Sequence, residues 1–303
     1  MIDIDRPQLE GSVAVGTDTA RRRMGFAEFG SPHGRAVFWL HGTPGARRQI
    51  PVEARTVATE TGIRLVGLDR PGVGSSTAHR YDSVRDFADD LRTVADTLGI
   101  DEFAVVGLSG GGPYALAAAH QMPERVKVVG VMGGVAPVVG PDRIGGGALE
   151  VAKHAAPLLE HAATPVGRVL STAIRAARPV AEPIIGVYAR LSPQGDRQLL
   201  TRPEFRAMFL DDLLNGGSRR MEAPLSDLIV FSRDWGFSVA DIAVPVRWWH
   251  GDHDHIIPHN HGAHMVDLLI DAKLYTMEGE SHLGGLGLAN EVLGELMDTW
   301  SEN

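Results

Sequence analysis

Phe103-Ala104-Val105-Val106-Gly107-Leu108-Ser109-Gly110-Gly111-Gly112-Pro113-Tyr114-Ala115-Leu116-Ala117-Ala118-Ala119 is the stretch from which the fold can be read. A short apolar run, of a length suited to a buried strand, leads into Gly-x-Ser-x-Gly, and an alanine-rich segment of high helix propensity follows. A serine at such a strand-to-helix turn projects its hydroxyl above the sheet edge. The strained backbone leaves no room for bulky neighbours, and Gly107 and Gly111 supply that room. Gly110 follows the serine, so its N–H faces the same space at the start of a helix whose dipole favours negative charge. The chemistry implied is acyl transfer. With 36 glycines among 303 residues, roughly 0.2 chance matches to the pentapeptide are expected, so its flanks and three further segments must carry the assignment.

Outward from this stretch, strand-like and helix-like segments alternate up to about residue 135, which predicts a largely parallel sheet with helices on both faces. Strands are expected at Arg22 to Phe29, Ala36 to Leu40, Ile63 to Leu68, Phe103 to Leu108 and Val126 to Met132. Ser83 to Leu98 carries Val84, Phe87, Leu91, Val94 and Leu98 at helical spacing, opened by Ser83 with Asp86 three residues on. That pattern predicts a surface helix with one buried stripe and a capped start. From about Pro137 to Asn215 the strand signal gives way to alanine- and leucine-rich helical stretches broken by Pro157, Pro165, Pro179, Pro183, Pro193 and Pro203. Glycine turns at Gly145 to Gly147 and Asn215 to Gly217 bound this helical insertion. Strands then return at Val244 to Trp249 and Lys273 to Thr276, completing the sheet.

Composition narrows the function. A net charge of −9 without a basic run argues against nucleic acid, whose phosphates require clustered Lys and Arg. The absence of cysteine excludes disulfides, thiolate metal ligands and a cysteine nucleophile, and fits a reducing compartment. Met1 to Pro7 lacks the basic start and apolar core of a signal peptide, and no segment reaches 18 uninterrupted apolar residues. The expectation is a soluble, cytoplasmic protein without stable membrane insertion. Neither G-x-G-x-x-G nor a P-loop is present, so no nucleotide cofactor is expected.

A serine nucleophile needs a histidine base and a carboxylate that orients it. Downstream of Ser109, the carboxylate candidates lie in His250-Gly251-Asp252-His253-Asp254-His255-Ile256-Ile257-Pro258 and the base in Gly279-Glu280-Ser281-His282-Leu283-Gly284. Each segment follows a predicted strand, where a side chain reaches the carboxyl edge of the sheet. Upstream stand Leu40-His41-Gly42-Thr43-Pro44-Gly45 and Asp69-Arg70-Pro71-Gly72-Val73-Gly74-Ser75-Ser76.

With these motifs in this order the chain resembles the cap-bearing α/β-hydrolases over nearly its full length. The resemblance implies an α/β fold with a mostly parallel eight-stranded sheet flanked by helices, and a helical cap inserted after the sixth strand. It divides the chain into a first core part (1–136), a cap (137–217) and a second core part (218–303). It also implies Ser109 as nucleophile, Asp254 as acid, with Asp252 as the alternative, and His282 as base. The backbone N–H groups of Thr43 and Gly110 would form the oxyanion hole. His41 reads as a hydrogen-bonding brace and Arg70 as a surface or loop-anchoring cation. No cofactor and no metal are implied. The histidines at 250, 253, 255, 259, 261 and 264 do not follow the H-E-x-x-H pattern and read as solvated.

The function so implied is cleavage of a carboxylic ester of a small to medium, largely apolar molecule, in a chain of undetermined oligomeric state. Leu158, Leu159, Leu170, Phe205, Met208 and Phe209 are among the cap residues expected to pack the helices or roof the pocket. His-Gly-x-Pro-Gly also resembles the proline iminopeptidases of this fold, but these carry tryptophan after the nucleophile where this chain has Gly110. They also need cap carboxylates for the substrate amine, for which Glu150, Glu160, Glu182, Glu204, Asp211 and Asp212 are available. A slow-turnover ligand receptor on the same fold is the remaining alternative.

Overall fold

The computed structural model describes residues 4–154, 156–216 and 222–302. In chain order the elements are β1 (Leu9–Val15), β2 (Arg22–Gly30), β3 (Arg35–Leu40), α1 (Val52–Thr61), β4 (Ile63–Leu68), α2 (Phe87–Thr97), β5 (Phe103–Leu108), α3 (Gly112–Gln121) and β6 (Val126–Met132). A helical region follows: α4 (Gly147–Ala152), α5 (Ala156–Ala177), α6 (Ala181–Leu191), α7 (Gln194–Thr201), α8 (Pro203–Asp211) and α9 (Ala223–Phe231). The chain closes with β7 (Val246–Gly251), α10 (His259–Leu268), β8 (Ala272–Met277) and α11 (Ala289–Glu302). The side chains of Leu158, Leu159, Glu160 and Leu170 lie outside the described ones, and Gly217 outside the described residues.

The eight strands form one sheet in the order β1-β2-β4-β3-β5-β6-β7-β8. β2 runs antiparallel to β1 and β4, and every other pairing is parallel. The chain steps from β3 to β4 in one direction and then returns to place β5 on the other side of β3. That reversal opens a crevice at the carboxyl ends of β3 and β5, where open α/β sheets bind ligands. The cap helices enter after β6, as expected.

Both faces of the sheet are covered, as alternation along β3 requires. Phe38 and Leu40 pack with Phe103, Val105, Phe87, Leu91 and Tyr114 on one side. Val37 and Trp39 pack with Ala104, Val106, Ala54, Leu293 and Leu296 on the other. The stripe expected on the helix after Ser83 is present, with Val84, Phe87, Leu91 and Val94 fully buried. Its start is held by the Asp86 carboxylate accepting from Ser83 N–H at 2.9 Å.

One expectation changes and another is narrowed. Most of the prolines in the insertion begin helices rather than break them: Pro203 opens α8 and Pro193 caps α7, positions where a missing N–H costs nothing. Pro165 sits inside α5, which continues through it. Phe205 and Met208 are buried in the cluster that joins α7 and α8 to the sheet, so packing accounts for them, and Phe209 packs at its edge.

Asp212, buried just after α8, accepts from the N–H groups of Ala46 at 2.9 Å and Arg48 at 3.0 Å. It thereby ties the cap to the loop after β3. Burial and the neighbouring Asp69 and Asp211 push its pKa up to about 7, against those two donors. Between the ordinary carboxylate range and that value the folded chain binds more protons than the unfolded one, so stability falls as pH rises through this window. The loss is at most about 4 kcal/mol. Asp212→Asn should flatten the decline in thermal midpoint from about pH 5 to about pH 8; parallel profiles for the variant and the parent would remove Asp212 as its cause.

Candidate active site

Ser109 opens the turn between β5 and α3 with φ 51°, and is the only described non-glycine residue at positive φ. A side chain rarely adopts this conformation, and it persists only where the surroundings enforce it. Enforcement comes from close packing: a Cβ on Gly111 would lie 2.2 Å from Leu40 O, and one on Gly107 2.6 Å from Gly111 O.

The loops after β7 and β8 bring two further side chains to this turn. His282 Nε2 lies 2.9 Å from Ser109 Oγ, and His282 Nδ1 lies 2.7 Å from Asp254 Oδ2. All three residues are buried, with Ser109 the most exposed at 9%. Asp254 Oδ1 accepts from the N–H groups of Ile256 and Ile257, both at 2.9 Å. Asp252 instead accepts from Gly279 N–H at 2.8 Å, at the turn that begins the histidine loop. The carboxylate beside the imidazole is therefore Asp254.

Burial by itself would raise the Asp254 pKa. Hydrogen bonds from His250 and His282, the His282 charge and the Ile257 N–H outweigh it and hold the carboxyl well below its usual range. His250 is wholly buried; its Nδ1 accepts from Trp248 Nε1 at 3.1 Å, so the proton sits on Nε2, 2.8 Å from Ile257 O and 3.5 Å from Asp254 Oδ2. The remaining histidines of that segment go separate ways. His259 meets Thr276 Oγ1 and His264 meets Asp142 O, while His261 is buried against the turn at Gly146 and Gly147. Buried His250 and His261 thus depart from the solvated reading. Among the described residues no three histidine or carboxylate groups are gathered around a point that would hold an ion.

Across the crevice, β3 delivers the loop His41 to Gly45 beside the serine turn. Gly42 N–H donates to Gln49 Oε1 at 2.6 Å, and Gln49 Nε2 donates to Pro44 O at 3.2 Å. A Cβ on Gly110 would lie 2.3 Å from Thr43 Oγ1 and 3.4 Å from the Phe231 ring. The Thr43 side chain therefore fills the space that a residue larger than glycine would need after the serine, the position where the proline iminopeptidase pattern has tryptophan. His41 is the brace expected of it. Its Nε2 accepts from Arg70 N–H at 3.2 Å and its Nδ1 lies 2.7 Å from Gly42 O; burial and the Arg70 charge hold it neutral.

Arg70 anchors the loop but is not on the surface, being 1% exposed. Its guanidinium donates to His41 O, to Gly42 O at 3.0 Å, to Thr43 Oγ1 at 2.7 Å and to Asp227 Oδ2 at 2.8 Å. Asp227 also accepts from Thr43 Oγ1 and Tyr114 Oη, both at 2.9 Å. Sequence reading passed over Asp227 and took His250 for a solvated histidine. The signal for Asp227 was present: it is the only charge in Ala223 to Phe231, an otherwise largely apolar helix.

A mostly parallel sheet whose carboxyl edge carries serine, histidine and aspartate in hydrogen-bonded series, roofed by helices inserted after β6, defines the class. The chain belongs to the α/β hydrolase fold family, whose sequence model matches residues 35–286. Among curated proteins it is similar to proline iminopeptidases: 33% identical over 132 residues to that of Neisseria gonorrhoeae, and 33% over 129 residues to that of Xanthomonas citri. These matches span 42% and 39% of this chain, and 40% of each relative's length. Among solved structures it is similar in fold to a bromoperoxidase from Bacillus anthracis, with a TM-score of 0.68 and 19% identity over 97% of this chain and 100% of that one. A thermophilic esterase from Thermogutta terrifontis has a TM-score of 0.66 at 17% identity, covering 96% and 99%. No helix of the described residues is long and apolar enough to cross a membrane.

Proposed function

We propose that the chain is a serine hydrolase cleaving a carboxylic ester of a small to medium, largely apolar substrate through an acyl-enzyme. The observation that carries this reading is the His282 imidazole, within hydrogen-bond distance of Ser109 on one side and Asp254 on the other. Ser109 Oγ attacks the carbonyl as its proton passes to His282 Nε2, and Asp254 keeps the other imidazole proton on Nδ1 and stabilises the imidazolium. The N–H groups of Thr43 and Gly110 receive the oxyanion. His282 then protonates the departing alcohol, and afterwards takes a proton from the water that attacks the acyl carbonyl and releases the acid. The Phe231 ring beside Gly110 supplies an apolar wall next to the nucleophile. The division into a core of 1–136 and 218–303 with a cap of 137–217 belongs to the same proposal.

The sequence relatives favour a second reading, removal of an N-terminal proline, which needs a carboxylate for the substrate amine. Of the available candidates Asp211 is engaged by Arg48, Asp212 by two backbone N–H groups and Glu150 by Lys153. The Glu222 side chain, buried where α9 begins, has no hydrogen-bond or ion-pair partner among the described residues, while its backbone N–H donates to Gly72 O at 2.8 Å. A panel of p-nitrophenyl esters of graded acyl length, assayed beside proline p-nitroanilide, separates the readings. Multiple turnover on the esters is expected, with kcat/KM varying with acyl length. Turnover confined to the proline anilide would transfer the assignment to the second reading, and one equivalent of product per chain would mark a receptor.

A further inference from the structure

We propose that Arg70, fixed by Asp227, is a positioning residue that polarises the peptide between Gly42 and Thr43 and so strengthens the Thr43 N–H as an oxyanion donor; this rests on the ester-hydrolase reading above. The carbonyl and the N–H of one peptide are coupled through its resonance. A donor drawing density at the oxygen makes the N–H at the other end more positive. Gly42 O has two donors: Arg70 Nη2, which is cationic, at 3.0 Å, and neutral His41 Nδ1 at 2.7 Å. The hydrogen bond from the guanidinium is charge-assisted and lies in a buried, low-dielectric setting, where its influence is largest.

The same guanidinium meets His41 O and Thr43 Oγ1. Three consecutive residues of the loop are thereby indexed to one cation. Asp227 in turn fixes that cation through both Arg70 Nε at 3.1 Å and Nη2 at 2.8 Å. Arg70 lies 29 and 28 positions from His41 and Gly42, and Asp227 a further 157 along the chain. The oxyanion loop of the core is thus held by a carboxylate on α9, the helix against which cap helix α5 packs. Arg70 touches no reacting atom. Its influence reaches the substrate only through the Thr43 N–H.

The sequence contains two Gly-Thr steps, Gly16-Thr17 and Gly42-Thr43. Labelling with carbonyl-13C glycine and 15N threonine therefore gives two correlation peaks, and Thr17, in an exposed turn, is an internal reference. In Arg70→Met the Gly42 carbonyl and Thr43 nitrogen resonances should both move upfield while the Thr17 peak stays in place. Arg70→Lys, which keeps a cation, should move them less. Asp227→Asn, which keeps the guanidinium, should leave the Gly42 carbonyl near its parental position.

The functional arm compares an alkyl boronic acid, which forms a tetrahedral adduct on an active serine, with an unreactive ketone of the same chain. Arg70→Met should weaken the boronic acid roughly tenfold and lower kcat by a similar factor, with ketone affinity and KM little changed and Arg70→Lys partly restored. Because Asp227 would be left as an unpaired buried charge, Arg70→Met/Asp227→Asn provides the same test in a variant without that charge. Equal losses for boronic acid and ketone, or an unmoved Gly42 carbonyl, would overturn the proposal. A parent protein that neither cleaves esters nor binds the boronic acid would overturn the hydrolase reading instead, and the proposed oxyanion role with it; the labelled peaks would still report whether the peptide is polarised.

Discussion

Ser109→Ala is expected to lower kcat on an activated ester by roughly 10⁶-fold while leaving the thermal midpoint near that of the parent. The size of the loss follows from covalent catalysis, because without the hydroxyl there is no acyl-enzyme and the remaining groups can only bind and polarise the substrate. The unchanged midpoint follows from the site. Ser109 Oγ has His282 Nε2 as its hydrogen-bond partner, and the positive φ of the turn is enforced by the approach of Gly111 to Leu40 O rather than by the hydroxyl. His282→Ala should cost nearly as much in kcat, and the double variant little more than either single one, since residues that act as a unit are not additive. A Ser109→Ala enzyme retaining more than about a hundredth of the parent kcat would exclude the acyl-enzyme route.

Asp254→Asn should lower kcat by about 10⁴-fold, and Asp252→Asn should leave it within about twofold. The asparagine is constrained by the backbone around it. Two N–H groups, from Ile256 and Ile257, point at Oδ1, so the amide oxygen must stay there and its NH2 must face His282. Nδ1 would then become the acceptor and Nε2 would carry the proton, the tautomer that cannot deprotonate Ser109. Asparagine at 252 keeps the oxygen that Gly279 N–H requires. The reverse outcome, loss at 252 and retention at 254, would move the acid to Asp252 and overturn the assignment of Asp254.

The central strands were legible because each is an apolar run of strand length ended by a turn, and the positions of Ser109, Asp254 and His282 because each lies in the loop after an expected strand. β1 was not among the residues read as strands. Leu9 to Ser12 are exposed, Gly11 and Ser12 interrupt the apolar pattern, and only Val13 and Val15 reach the core. Such an edge strand is specified by pairing with β2 rather than by its own composition. The choice between Asp252 and Asp254 was decided by turn geometry two residues apart, to which spacing is blind. Arg70 and Asp227 stand 157 residues apart, and Arg70 alone reads as a surface charge. The lone charge in Ala223 to Phe231 marks Asp227 for burial, but only the tertiary fold makes Arg70 its partner, and local pattern carries no trace of the pairing. Insertion prolines were misread for a related reason, since proline is a breaker inside a helix and a starter in its first turn, and the sequence does not say where the first turn falls.

The most direct measurement on the central claim is the reaction of the folded protein with a fluorophosphonate, followed by intact mass and peptide mapping. An activated serine facing two oxyanion donors is expected to take up one phosphonyl group per chain, on Ser109. Uptake should be absent in Ser109→Ala and far slower in His282→Ala, although both remain folded by circular dichroism and thermal melting. A folded parent protein that stays unlabelled, or that is labelled at another residue with Ser109 intact, would contradict the account.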